Sequence, residues 1–168
     1  MKMDINSNFP KRKQNRLKNY DYSSPGAYFV TICTKTRENY FWENVGATIG
    51  RPQDIILSEH GKIVEEAINN IPIIYSSMSV EEYIIMPDHV HLLLLIRTDE
   101  HGRPMVAPTI DRVVKQLKGY VSKRVGTPIW QKLYYDHIIR NREDYEAIVK
   151  YIHENPVMWY YDEVCVKQ

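Results

Sequence analysis

Two apolar runs, Met78 to Met86 and His89 to Arg97, stand back to back with only Pro87-Asp88 between them. Each has the length of a strand. Proline followed by aspartate is turn chemistry, so the spacing predicts an antiparallel pair. A sheet built around that pair needs cover, and the flanking segments are patterned to supply it.

Residues 1–24 are polar and basic and read as an arm. Ala27 to Thr34 (AYFVTICT) is rich in β-branched and aromatic residues and reads as a strand. Residues 35–55 read as loop, with a short strand near Tyr40 to Trp42. Ser58 to Asn70 has helical periodicity, with Ile63, Ala67 and Ile71 recurring and Ser58 placed to cap the start. Thr109 to Val125 predicts an amphipathic helix with Val113, Leu117, Tyr120 and Val121 on one face and Thr109 as its N-cap. Trp130 to Ile139 reads as a fourth strand. Arg142 to Glu154 reads as a helix that ends near Asn155, because Pro156 disfavours helical geometry in the residue before it. Strands interleaved with helices around a central hairpin predict an α+β fold, one small antiparallel sheet with helices packed on it. The expected organisation is an arm (1–24), one domain (25–157) and a tail (158–168).

A chain of 168 residues can bury a core without disulfides or a structural metal. Its two cysteines, Cys33 and Cys165, lie far apart and fit neither a disulfide framework nor a zinc ribbon. A reducing cytoplasm is the expected setting. No segment reads as a signal peptide, and the longest apolar stretch is too short and too polar to cross a bilayer, so no membrane partner is expected. Net charge is only +1, but cations cluster. Lys11, Arg12, Lys13, Arg16 and Lys18 crowd the arm, and Arg112, Lys115, Lys118, Lys123 and Arg124 share a predicted helix. Such clusters are either solvated surface or phosphate contacts.

Two short segments carry chemistry. In a strand, residues two apart point to one face, so His89 and His91 project side by side. Neutral imidazoles are good ligands for a divalent metal. Two ligands do not make a site, and a third has to come from elsewhere in the fold. The same spacing also fits a pair of satisfied histidines at a sheet edge. In the second segment, Tyr151 and Asn155 are i and i+4 on one helix face. Tyr151 falls roughly 110° from the centre of the apolar stripe formed by Tyr145, Ile148, Val149 and Ile152, so the core does not require it. Taken alone, it is also an ordinary surface tyrosine followed by a helix-ending Asn-Pro.

Together the motifs resemble a family. Arg16-Leu17-Lys18, Gly26-Ala27-Tyr28-Phe29-Val30-Thr31, Met86-Pro87-Asp88-His89-Val90-His91, the run from Trp130 to Asn141 (WQKLYYDHIIRN) and Tyr151-Ile152-His153-Glu154-Asn155-Pro156 occur in the order found in the single-tyrosine HUH transposases, and most closely in the REP-associated tyrosine transposases. The resemblance implies a ferredoxin-like or RRM-like HUH fold. It implies that His89, His91 and Asn155 hold Mg²⁺ or Mn²⁺ and that Tyr151 is the nucleophile. The implied reaction nicks single-stranded or hairpin DNA through a 5′-phosphotyrosine intermediate and rejoins it. The resemblance gives no role to Asp88 or His153. It leaves both monomer and homodimer open.

The implied chemistry is physically coherent. A phosphodiester repels nucleophiles by its charge, and a cation held by two imidazoles and an amide offsets that repulsion. A phenol ordinarily titrates near about pH 10, so the nucleophile needs activation. The arm cations and Arg112, Lys115 and Lys118 then become candidate DNA contacts. Histidine-triad hydrolases fit less well, because the next same-face position after His91 is Leu93. A non-catalytic RRM-like nucleic-acid module has Tyr28 and Phe29 in its first strand but lacks the Gly-Phe signature of that class. A domesticated descendant that retains DNA binding is a further alternative.

Overall fold

The computed structural model describes residues 19–43, 55–98 and 108–166, the stretch 160–166 as backbone only. The elements run β1 (Gly26–Cys33), α1 (Glu59–Asn69), α2 (Ile71–Ile74), β2 (Met78–Ile85), β3 (His89–Ile96), α3 (Ile110–Val125), β4 (Tyr135–Ile139) and α4 (Arg142–Val166). The fold is α+β, a four-stranded antiparallel sheet in the order β2-β3-β1-β4.

The starts of α1 and α3 follow from their caps. The Ser58 hydroxyl accepts from the Gly61 amide at 3.1 Å, and the Thr109 hydroxyl accepts from the Arg112 amide at 3.3 Å. Each satisfies one of the donors that a first helical turn leaves without a partner. At the far end of α3, Gly126 takes φ 84°, a left-handed cap that glycine adopts without steric cost.

The sheet has two distinct faces. Tyr28, Val30 and Ile32 of β1 and Val90, Leu92, Leu94 and Ile96 of β3 form the main core with α1, α2 and α3. The alternate residues point the other way. There Ile152 of α4 is buried against Phe29 and Leu93, with Tyr145, Ile148 and Val149 around it. Burying one such side chain stabilises the fold by about 1.5–3 kcal/mol, so this small cluster is what seats α4 on the sheet.

Register fixes which residues meet on the second face. His91 pairs with Ile84 of β2 on one side and Thr31 of β1 on the other, and Thr31 in turn pairs with Tyr135 of β4. One row therefore runs Ile84, His91, Thr31, Tyr135 across the whole sheet.

Two expectations need correction. The last helix does not stop near Asn155, and it takes in most of the segment from 158: α4 continues through Pro156 to Val166. Pro156 donates nothing to the Ile152 carbonyl, yet it is buried. Beyond it, Trp159 packs edge-on against Trp42 with ring centroids 5.4 Å apart. Tertiary packing holds the helix across a residue that local preference would use to end it. The fourth strand is also shorter than Trp130 to Ile139. Trp130 makes only an isolated bridge to Thr34, and continuous pairing starts at Tyr135.

Candidate active site

His89 and His91 stand two apart on β3 and are nearly buried, 8% and 3% exposed. Their Nε2 atoms face each other at 3.1 Å. Each ring is anchored through its other nitrogen. His89 Nδ1 lies 2.6 Å from Asp88 Oδ1, and His91 Nδ1 lies 2.8 Å from Thr31 Oγ1. A carboxylate can only accept, so His89 carries its proton on Nδ1 and leaves a lone pair on Nε2. His91 Nε2 faces that atom, and Thr31 Oγ1, which can donate or accept, holds the other nitrogen of the His91 ring.

α4 brings its residues to the same place. Asn155 is buried, and its amide nitrogen lies 3.4 Å from His91 Nε2. The Tyr151 hydroxyl lies 3.5 Å from the same atom. Tyr151 is 49% exposed, and its ring edge meets Phe29 and His91 at centroid distances of 6.0 and 5.2 Å. Phe29 stacks on His91 at 5.2 Å. Burial, and then the neighbouring His89, push the His91 pKa down to about 3. His91 is therefore neutral at physiological pH, the form in which an imidazole can donate a lone pair.

Three supporting residues escaped the sequence reading. Asp88 is 8% exposed and bridges His89 to Arg37, whose Nε lies 2.8 Å from Asp88 Oδ2. Arg37 takes φ 58°, a left-handed conformation unusual for a non-glycine residue. Thr31 is the third. The place of Asp88 beside the first histidine was a usable signal. For Thr31 and Arg37 the sequence offers none, because strand register and loop conformation bring them in.

Of the expected DNA contacts, only those on α3 fall among the described residues. Lys11, Arg12, Lys13, Arg16 and Lys18 lie outside the described residues. Arg112 and Lys115 are exposed on α3, whose buried side packs on the opposite face of the sheet from Tyr151. Lys118 is half-buried and holds the loop before β4. Its ammonium donates to the carbonyls of Gln131 at 3.0 Å, Lys132 at 3.4 Å and Leu133 at 3.4 Å. Burial lowers its pKa. His153, expected to turn away from the metal, pairs with Glu82 at 3.2 Å. Among the described residues, no three His, Cys, Asp or Glu side chains cluster as metal ligands. No described helix is long and apolar enough to cross a membrane.

A solved structure of a REP-associated tyrosine transposase bound to a REP hairpin superimposes on 85% of this chain and 73% of its own, with a TM-score of 0.58 and 20% identity. The chain has the fold of the REP-associated tyrosine transposases. The resemblance read from its motifs is thus shown at the level of the fold. In sequence, it is 31% identical over 185 aligned positions to an uncharacterized protein of Haemophilus influenzae, covering 99% of both chains, and belongs to one family with it. A second H. influenzae protein, whose assignment as a REP-associated tyrosine transposase is itself provisional, is 22% identical over 158 positions, 88% of this chain and 81% of that protein. No family model matches the chain.

Proposed function

We propose that this protein is a divalent-metal-dependent enzyme that nicks and rejoins single-stranded DNA through Tyr151. The observation that carries the reading is convergence on one atom. His89, Asn155 and Tyr151, from a strand and a helix, all reach His91 Nε2 within 3.5 Å.

The residues fit Mg²⁺ or Mn²⁺. Two imidazoles present Nε2 toward each other, and the Asn155 amide can turn its oxygen to the same point. Asp88 and Thr31 hold the two rings from behind, as outer partners of metal-bound histidines do. A bound cation would polarise a phosphodiester and offset its negative charge.

The protein's own part is positioning. The Phe29–Leu93–Ile152 cluster fixes α4, and with it the Tyr151 hydroxyl, beside the histidines. Attack forms a bond from Tyr151 Oη to phosphorus and breaks the bond from phosphorus to the 3′ oxygen. The phenol loses its proton and the departing oxygen gains one. The product is a 5′-phosphotyrosine and a free 3′-hydroxyl. Reversal with another 3′-hydroxyl rejoins DNA without an external energy source. Tyr151 lies beside the histidines of its own chain, which supports action in cis by a monomer.

The similar solved protein is bound to a REP hairpin, and we infer hairpin DNA as the substrate class, cut in a cytoplasmic setting. Lys11, Arg12, Lys13, Arg16 and Lys18 would grip its phosphates. Arg112 and Lys115 would serve DNA that extends beyond the sheet. Lys118 would act through the loop it holds.

The decisive experiment incubates labelled single-stranded hairpin DNA with Mg²⁺ or Mn²⁺ and either wild type or Tyr151→Phe. A metal-dependent covalent adduct that is lost in the variant is expected. An adduct that survives in Tyr151→Phe overturns the choice of nucleophile.

A further inference from the structure

We propose that Tyr135 is a stacking platform for one base of the single strand that threads the site, an inference that rests on the nicking reading above. Tyr135 occupies the open end of the row that contains His91. Its register partner is Thr31, and Thr31 holds His91. Its side of the sheet is settled by its neighbours: Ile138 packs into the main core, whereas Ile139 packs with Phe29 and Leu93 and His137 pairs with Asp144 of α4. Tyr135, two residues before His137 on the same strand, shares the face that carries Tyr151.

α4 covers only part of that face. Its buried contacts fall on Phe29 and Leu93, and His153 ties it to Glu82 of β2. β4 is the edge strand farthest from β2, and its first residue is left 51% exposed. Leu133, just before it, is 47% exposed. Strands lie about 4.8 Å apart, so Tyr135 stands about 10 Å from His91 across the sheet. A strand whose phosphate sits by Tyr151 reaches that far with its neighbouring bases.

Two observations favour single-stranded DNA as the occupant. The row is continuous with the proposed phosphate site, so whatever strand enters one also passes the other. The segment leading to Tyr135 is also held in shape. Lys118 clasps the carbonyls of Gln131, Lys132 and Leu133, and the exposed Lys132 adds positive charge three residues before Tyr135. An aromatic face beside cations on a sheet is the arrangement that takes unpaired bases regardless of sequence.

The test measures binding without chemistry. A fluorescein-labelled single-stranded hairpin is titrated into Tyr151→Phe protein, with and without Tyr135→Ala, Tyr135→Phe or Tyr135→Trp. Loss of one stacked base weakens binding by about 5- to 150-fold. We expect that loss in Tyr135→Ala and not in the two aromatic variants. A single abasic nucleotide at the contacted position should weaken binding to the parent and leave Tyr135→Ala unaffected. Equal affinity of Tyr135→Ala and parent, or equal losses in all three variants, overturns the proposal. Wild-type adduct formation, scored in parallel, judges the nicking reading separately. A wild type that forms no adduct but binds through Tyr135 overturns nicking and leaves the stacking in place.

Discussion

Thr31 Oγ1 lies 2.8 Å from His91 Nδ1, and the two residues are register partners across β1 and β3. The hydroxyl holds the His91 ring through Nδ1, and so turns Nε2 toward His89, Asn155 and Tyr151. Thr31→Val keeps the shape and removes the hydroxyl. Loss of an outer partner of this kind typically costs 10- to 100-fold in metal affinity. Calorimetric titration with Mn²⁺ should show a drop in that range for Thr31→Val and little change for Thr31→Ser. Equal affinity in all three proteins would show that the hydroxyl does not orient the ring.

Asp88 does the same for His89 and is itself held by Arg37. Asp88→Ala should weaken Mn²⁺ binding by a similar factor. It should also destabilise the fold by about 1–3 kcal/mol, because His89 Nδ1 is then buried without an acceptor. Thermal melts followed by circular dichroism, with and without Mn²⁺, separate the two effects.

Two helical glycines should respond in opposite directions to alanine. At Gly61 an added Cβ would run into the Phe41 carbonyl oxygen and also press on Leu57. At Gly119, exposed on α3, it would meet nothing within 4 Å. Gly61→Ala should cost about 1–3 kcal/mol, whereas Gly119→Ala should gain about 0.5–1 kcal/mol. Urea melts of the two variants should shift to opposite sides of the parent, and a shared direction would contradict the packing described for α1.

Ile152 is 2% exposed at the centre of the cluster that seats α4. Ile152→Ala should destabilise by about 2–5 kcal/mol. Because the neighbouring residue is Tyr151, adduct formation at a temperature where the variant remains folded should fall as well. Retained stability with retained adduct yield would mean that α4 is seated by other contacts.

Stability should decline at alkaline pH through Tyr28. Burial, and then the hydrogen bond with Tyr20, raise its pKa above the usual phenol range. Its hydroxyl also donates to the Ser24 carbonyl at 2.7 Å. A group whose folded pKa is raised stabilises fully below its unfolded value, about 10, and loses that contribution as pH climbs past it. Melting temperature should therefore fall above about pH 10. Tyr28→Phe should melt lower at neutral pH but lose less on going alkaline. Parallel curves for the two proteins would remove Tyr28 as the cause.

Local signals made much of this molecule legible. The hairpin turn at Pro87-Asp88, the caps at Ser58 and Thr109, the same-face spacing of His89 with His91 and the i, i+4 spacing of Tyr151 with Asn155 all depend on neighbours in sequence. The parts that could not be read depend on distant ones. Thr31 meets His91 across sixty positions of chain because the strands pair in one register. Arg37 reaches Asp88 from a left-handed loop residue that no composition rule marks. The helix runs past Pro156 because Trp159 finds Trp42. Lys118 looked like any other cation on its helix until the loop before β4 came to rest on it.

The row that joins His91 to Thr31 also makes the proposed activity a gauge of folding. Side chains alternate along a strand, so a slip of one residue between β1 and β3 sends Thr31 to the opposite side of the sheet and brings a core residue in its place. No half-correct pairing leaves the cluster partly assembled. Activity in a preparation of this protein should therefore count native molecules one by one, and a weak preparation should be a mixture of fully competent and silent chains.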